Sequence, residues 1–139
     1  MMTDENVNGK HRDVQTDIRS RENREFLAQG VVSLFDRWHI PPEDQAPLLG
    51  LPPKTRRTLD RYRKGTPLPN KTDLLNRVGI LFSIYIALHQ LFPHNPDMAD
   101  QWVTRPCVTF DGKTPLDFMK RDYVGLKAVR HYLMFELHR

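Results

Sequence analysis

The stretch from residue 74 to residue 92 is apolar on almost every side of a helix. Its apolar residues recur at spacings of three and four, the helical period, and they form three stripes instead of one. A helix that is apolar on nearly all sides must be enclosed on nearly all sides. This segment therefore predicts a central helix that joins both halves of the chain into one core, or a helix with one stripe in a homodimer seam. The stripes are Leu74, Val78, Leu81, Tyr85, Leu88 and Phe92; Leu75, Phe82 and Ile86; and Ile80, Ile84 and Leu91.

The length of the chain limits how that helix can be covered. With 139 residues, the chain is one compact domain or two small helical subdomains that share a core. Few elements remain to cover three faces, so we expect a homodimer. Because Cys107 is the single cysteine, an intrachain disulfide framework and a cysteine-rich zinc module are excluded, and a reducing compartment is favoured.

Composition also indicates a soluble, cytoplasmic protein. The N-terminus is acidic and polar, which is unlike a signal peptide. The longest uncharged run, residues 78–90, is too short to span a bilayer and is typical of a buried helix. We therefore expect no membrane partner.

Positive charge is concentrated between residues 54 and 64. The net charge of the chain is +4, but this window holds six basic residues against one acid, Asp60, so it carries +5 and the remainder carries −1. A localised basic helix is typical of a phosphate-binding face, although a solvated surface helix without a ligand has the same composition. The basic residues are Lys54, Arg56, Arg57, Arg61, Arg63 and Lys64.

The elements around this basic segment favour DNA binding. A short helix bent by Pro47, a turn that contains Gly50 and an apolar residue, and then a basic helix are the organisation of a helix-turn-helix. In that motif the second helix enters the major groove, where arginines reach guanine or phosphate. We therefore predict that the six basic residues contact operator DNA, with Arg63 and Lys64 on backbone phosphates. A degenerate, purely structural version of the fold is the alternative.

Start and stop signals divide the chain into an all-α arrangement. Residues 1–22 have sparse apolar residues and are predicted to be a flexible tail. Thr114, Pro115 and Asp117 form a capping box that starts a helix after the loop that follows Pro106. The tail is followed by a helix-turn-helix-like region, residues 23–69, and by a region with the central helix and the C-terminal module, residues 70–139. The predicted helices are Arg24–Trp38, Pro42–Leu49, Lys54–Lys64, a central helix capped by Asn70, one from Pro96, and Gly125–Leu137.

The C-terminal signals follow in a fixed order: Trp102, Pro106, Phe110, Gly112-Lys113, Thr114-Pro115-Leu116, Gly125-Leu126, Val129 and Tyr132-Leu133. This order resembles the Xre/MbcA/ParS family of bacterial antitoxins. That family carries a helix with Trp, then Pro-Asn, Phe or Leu, Gly-Gly or Gly-Lys/Arg, Thr/Ser-Pro-Leu and a closing Gly-Leu-x-x-Val-x-x-Tyr-Leu. The resemblance covers roughly residues 26–135 and is strongest from Leu74 onward. Cys107 stands where the family has asparagine, and Pro52-Pro53 replaces the serine cap of its Leu-Gly-Leu-Ser turn. The residues that carry the module scaffold are Trp102, Pro106, Phe110, Gly112 and Pro115.

What the resemblance implies is the antitoxin of a toxin–antitoxin pair. Its partner would be a RES-domain toxin that consumes NAD or transfers ADP-ribose, and the antitoxin would block the toxin active site and repress its own operon. A cationic chain end suits a pocket built for a pyrophosphate, because arginine binds anions in a bidentate manner. The same charges also favour a helix C-terminus without any partner. The resemblance places the blocking surface in the C-terminal module, with Arg130, His131, Phe135, Glu136, His138 and Arg139 as candidates.

An enzyme is not indicated. The sequence has no P-loop, no dinucleotide-binding glycine pattern and no nucleophile elbow. Its six histidines include no pair with metal-ligand spacing, so no metal and no cofactor are expected. Two alternatives to the antitoxin remain: a standalone transcriptional regulator whose C-terminal module has another partner, and a structural dimerisation protein with a vestigial DNA-binding fold.

Overall fold

The computed structural model describes residues 19–139, and within them it contains seven α-helices, two short 3₁₀ helices and no strand. The predicted all-α class is confirmed for this part of the chain. Most of the predicted tail lies outside the described residues, but Arg21 and Glu22 already belong to the first helix. The helices are α1 (Arg21–Arg37), α2 (Pro42–Leu48), α3 (Arg56–Arg63), α4 (Thr72–Leu91), α5 (Pro96–Gln101), α6 (Pro115–Arg121) and α7 (Tyr123–Leu137), with 3₁₀ turns at Trp102–Thr104 and Val108–Phe110.

The helix α4 lies at the centre of one continuous core. Helices α1, α5 and α7 pack against it, and a single cluster of buried side chains runs from Ala28 to Leu133. Two of its three apolar stripes are covered by the chain itself, and Leu81, Ile84 and Leu88 are fully buried there. The remaining stripe, Leu75, Phe82 and Ile86, is only partly covered. The prediction that α4 joins both halves is therefore correct, and one stripe is left over.

Gly30 is the point at which α1 approaches α4. A Cβ atom at Gly30 would lie 3.0 Å from the Phe82 Cζ atom, which is tighter than ordinary packing. Glycine inside a helix lowers its stability by roughly 1 kcal/mol relative to alanine. In the fold it allows the phenylalanine ring to sit against the backbone of α1.

The start of α4 differs from the prediction. Asn70 does not cap the helix, since Lys71 occupies the cap position and makes no side-chain capping bond. The Asn70 Oδ1 atom instead accepts a hydrogen bond from Arg19 Nη1 at 2.9 Å, and Thr72 Oγ1 accepts one from Arg19 Nη2 at 3.1 Å. A long-range contact with the arginine thus takes the place of the local cap.

The linker between α3 and α4 is fixed to α1 by Leu68. Its side chain is fully buried, its N–H donates to the Arg24 carbonyl at 3.1 Å, and its own carbonyl accepts from Arg24 Nη1 at 2.8 Å. A single apolar residue between two prolines has no periodicity, so the sequence did not indicate this anchor.

Two polar contacts join the N-terminal helices to the C-terminal module. Lys120 of α6 forms an ion pair with Asp44 of α2 at 3.0 Å, and the carboxylate is only 15% exposed. The Arg77 guanidinium lies against Gly50, where any side chain would clash, and 5.1 Å from the centre of the Tyr123 ring. The module therefore packs on α2 and on the turn after it.

The folded α4 is longer than its uncharged run. It has 20 residues and a mean hydropathy of 1.3 over its most apolar 18, so by length and composition it could cross a membrane. The uncharged run of residues 78–90 is too short to span a bilayer by itself, and the added length comes from the polar first turns of the helix. A core helix of a soluble protein meets the same criteria, and here 39% of that window is buried.

Gly125 gives a direct test of the α6–α7 packing. A Cβ atom there would lie 2.0 Å from the Phe118 carbonyl oxygen, so Gly125→Ala must push the two helices apart. We expect a loss of about 2–3 kcal/mol in the free energy of unfolding, as for overpacked cores. Urea denaturation followed by circular dichroism would measure it.

The matched control is the opposite one-methyl change on the exposed side of the same helix. Ala128→Gly should cost only about 1 kcal/mol, the difference in helix propensity. If Gly125→Ala proved no more destabilising than Ala128→Gly, the close approach of the two helices would be wrong.

Candidate functional site

The basic helix α3 begins later than predicted. Lys54, expected as its first residue, has a left-handed φ of 66° and precedes the helix, which begins at Arg56. Thr55 occupies the cap position without a capping bond, and its buried Oγ1 has no hydrogen-bond partner among the described residues. Pro52 and Pro53 stand where a serine cap is usual, so the helix starts without the usual side-chain acceptor.

Three of the six basic residues form an outward stripe on α3. Arg57, Arg61 and Lys64 follow at i, i+4 and i+7, and all three are exposed. None of them forms an ion pair within residues 19–139. On the opposite side Leu59 and Tyr62 are buried. We call Arg57, Arg61 and Lys64 the basic stripe.

Arg63 lies on a different side of α3, facing α1. Its Nη1 and Nη2 atoms both donate to the Asp36 carboxylate, the second at 3.1 Å. The hydrogen bond from Arg63 holds the pKa of Asp36 below its ordinary value and raises the pKa of the guanidinium. Arg56 and Lys54 line the cleft beside this pair. The six predicted residues are therefore not one uniform surface.

An aromatic cluster holds the C-terminal module together. The Phe110 ring lies 5.5 Å from Tyr132, 6.2 Å from Trp102 and 5.2 Å from Phe118, between centroids. Trp102 also stacks on Tyr132 with an angle of 9° between the rings. Trp102 itself is only partly buried. These contacts fix the loop before α6 onto α7.

Backbone hydrogen bonds close the loop of residues 107–113, which precedes α6 and contains the second 3₁₀ turn. The Cys107 N–H donates to the Lys113 carbonyl at 3.0 Å, and the Gly112 N–H donates to the Cys107 carbonyl at 3.0 Å. Asp111 and Gly112 both have a left-handed φ, which glycine adopts freely. Backbone groups close the loop, so the cysteine side chain is not required for it. Pro106 is exposed and Pro115 is buried at the first position of α6.

Two capped helix starts orient α7. The capping box of Thr114 and Asp117 is confirmed, and the backbone hydrogen bond to Thr114 lowers the pKa of Asp117. Asp122 caps α7 by accepting from the Gly125 N–H at 2.7 Å. The last helix therefore begins at Tyr123, two residues before the predicted Gly125.

The outward side of α7 carries an apolar stripe. Val124, Ala128, His131 and Phe135 follow at i, i+4, i+7 and i+11, and all are exposed, Val124 by 68% and Phe135 by 61%. The inward residues, among them Leu126, Val129 and Leu133, are buried as predicted. Lys127 and Arg130 flank the stripe. We call Val124, Ala128, His131 and Phe135 the α7 stripe.

Only some of the predicted partner-binding residues lie on or beside the α7 stripe. His131 and Phe135 lie on the α7 stripe with Arg130 at its edge, whereas Glu136 and Arg139 form an ion pair with each other at 3.3 Å. His138 and Arg139 are exposed beyond the last turn. Val124 and Ala128 were not among the predicted residues, although helical spacing connects them to His131.

The C-terminal module matches a known family. Residues 87–135 match the family model described as the antitoxin Xre/MbcA/ParS C-terminal toxin-binding domain. A curated relative, the uncharacterized protein y4oB of Sinorhizobium fredii (strain NBRC 101917 / NGR234), is 39% identical over 102 residues, which are 72% of this chain and 75% of the relative. The chain belongs to the Xre/MbcA/ParS antitoxin family.

The match to the toxin-binding domain distinguishes the two candidate surfaces, because one lies inside the matched residues and the other lies outside them. The aromatic cluster and the α7 stripe lie within the matched toxin-binding domain, so a toxin is the partner expected there. The basic stripe of α3 lies outside the matched residues. Its role therefore has to be argued from its geometry and charge.

The capping box predicts how the stability of this antitoxin depends on pH. The pKa of Asp117 is lowered from 3.8 in the folded chain, so its contribution is complete above that value and is lost as the pH falls through the folded pKa. Asp117→Asn should remove part of the acid-induced loss and should cost about 1 kcal/mol at neutral pH. Thermal unfolding of both proteins between pH 7 and pH 2.5 tests this, and parallel pH profiles would contradict it.

Proposed function

We propose that this protein is the antitoxin of a type II toxin–antitoxin pair, that it binds and blocks a RES-domain toxin, and that it represses its own operon by binding operator DNA. It acts in the cytoplasm as a homodimer and catalyses no reaction. The observation that carries the proposal is the α7 stripe, an uncovered apolar surface inside the toxin-binding domain.

Exposure and charge support the α7 stripe as the surface that meets the toxin. Exposed apolar patches rimmed by polar residues mark protein–protein contacts, and an amphipathic helix of this kind docks in a groove. Val124 and Phe135 are exposed near opposite ends of α7, about three helical turns apart. A partner groove that matched this length would cover the whole outward side of the helix.

The charges at this end of the chain fit a toxin whose active site binds NAD. Lys127, Arg130 and the terminal Arg139 are exposed, and the only acid among the last fifteen residues is Glu136. A RES-domain toxin that consumes NAD or transfers ADP-ribose has to accommodate a pyrophosphate. Arginine side chains at the mouth of such a pocket would pair with acidic groups of the toxin or with the bound pyrophosphate itself, because a guanidinium binds carboxylates and phosphates in a bidentate manner.

The basic stripe supports operator binding. Arg57, Arg61 and Lys64 are three exposed cations on one side of a helix, without acidic partners among the described residues. They follow α2 and a turn, the order of a helix-turn-helix. Arg63 contributes less in this arrangement, because Asp36 already binds its guanidinium. A cluster of this kind binds phosphates with a strong dependence on salt.

Toxin binding can be tested at the two ends of the α7 stripe. Val124→Glu and Phe135→Glu should each weaken the complex by about 30-fold or more, since each places a charge in an apolar contact. Calorimetry or copurification with the product of the adjacent gene would measure this. Deletion of residues 135–139 should abolish neutralisation of the toxin in cells. Unchanged neutralisation by the deletion would refute the role of the chain end.

DNA binding can be tested by charge reversal on the basic stripe. Arg57→Glu combined with Arg61→Glu should abolish the operator shift at physiological salt, because two lost phosphate contacts and two added repulsions lower affinity by orders of magnitude. Toxin binding should stay intact. The matched control, Arg130→Glu with His131→Glu on α7, should reverse the pattern. Operator shifts that survive the α3 reversals would exclude the basic stripe.

The second candidate is a standalone transcriptional regulator. The observation in its favour is that the basic stripe lies outside the matched toxin-binding domain and so does not depend on a toxin. If the neighbouring gene encodes a small NAD-consuming protein, the antitoxin is favoured over the standalone regulator.

A further inference from the structure

One apolar surface of the molecule is used by neither proposed activity. It lies on α1 and α4, where Phe26 is 74% exposed and Ile86 is 54% exposed. Both residues precede the matched toxin-binding domain, which begins at residue 87. Exposed apolar side chains on two helices that pack together mark a surface where another molecule can bind.

A shallow groove runs between α1 and α4 at this surface. Gly30 of α1 contacts Phe82 of α4, and Arg37 lies over Tyr85, so the two helices run side by side in the same direction. Phe26 lies one turn before Gly30, and Gly79 lies about one turn before Phe82. The groove continues beside Gly30, Ser33 and Phe82.

Gly79 has no explanation within a single chain. It is an exposed glycine in the interior of a long helix, and a Cβ atom there would meet nothing within 4 Å. Glycine is unfavourable at such a position, whereas small residues on a helix face let a second helix approach closely. It stands on the stripe of α4 that the chain leaves uncovered, between Leu75 and Phe82.

The charges along α1 make this surface complementary to itself. Glu22, Phe26, Ser33 and Arg37 lie on one side of the helix, at i, i+4, i+11 and i+15. An acid therefore stands at one end and a base at the other, with Gly30 near the midpoint. Arg37 also pairs with Asp100 of its own chain at 3.4 Å, and its side chain stays 53% exposed. If two copies met antiparallel across this side of α1, Glu22 of one copy would face Arg37 of the other, twice. Such an arrangement is what a two-fold interface requires.

We propose that the surface formed by Phe26, Gly79, Phe82 and Ile86 is the seam between two copies of this chain, related by a two-fold axis that passes near Gly30. This inference rests on the homodimer in the proposed function and assigns its interface. The toxin and the second copy then occupy different surfaces, so one does not displace the other.

The seam also gives the dimer a role in reading DNA. Around the axis of α1, the exposed side lies between two contacts. On one side of it Asp36 binds Arg63 of α3, and on the other Gly30 packs against Phe82 of α4. A second copy on this side would add a second basic stripe, related to the first by the two-fold axis. Dimeric helix-turn-helix proteins use two-fold symmetry in this way to read two half-sites.

Self-association of the full-length chain tests the seam. Phe26→Glu and Ile86→Glu should each raise the dimer dissociation constant about 30-fold or more, measured by sedimentation velocity from low to high micromolar concentration. Glu22→Arg should weaken the dimer as well, since it would face Arg37 of the second copy. Both apolar positions are well exposed, so thermal melts should show that each variant is folded.

The matched control is Val124→Glu, an equally exposed apolar residue on α7. It should leave self-association unchanged and weaken toxin binding, while Phe26→Glu should do the reverse and reduce operator affinity. If the wild type is a dimer and the Phe26 and Ile86 variants remain dimers, the seam is overturned while the proposed homodimer stands. If the wild type is a monomer throughout, the seam and the homodimer both fall, and toxin binding stands on its own test.

Discussion

Enclosure of α4 is the constraint on which the rest of this structure depends. Its apolar residues face almost every direction, and leaving them in water would cost about 25 cal/mol for each Å² of apolar surface. Helix α1 covers one side of α4, and helices α5 and α7 cover other sides. Both halves of the protein pack on α4, and the contact between α2 and α6 adds to this. The stripe that remains uncovered is the surface we assign to a second copy.

The C-terminal module is rigid where it has to present a partner-binding helix. Phe110 connects Trp102, Phe118 and Tyr132, so the loop before α6 is held from three directions. Asp122 caps α7, and Gly125 lets it pass against the Phe118 carbonyl. With its inward side fixed in this way, the outward α7 stripe is displayed on a defined scaffold. Lys120 and Arg77 then attach the module to α2 and the following turn.

Local signals made much of the fold predictable. The capping box of Thr114 and Asp117 could be predicted because its partners are three residues apart. The buried positions of α7 followed from helical spacing alone. Predictions failed where a distant residue competed with a local one. Asn70 was a reasonable cap, but Arg19 binds its side chain. Lys54 looked like the start of the basic helix, but two preceding prolines leave it in a left-handed turn outside the helix.

The sequence by itself determined that this chain is helical, that α4 must be central, and that its C-terminal module resembles a toxin-binding domain. These conclusions depend on spacing, composition and residue order, which are present in the unfolded chain. Only the tertiary structure decided which surfaces stay open. It separated Arg63, bound by Asp36, from the free basic stripe, and it buried two stripes of α4 while leaving Ile86 exposed. Such choices arise from contacts between residues far apart in sequence, and no local pattern records them.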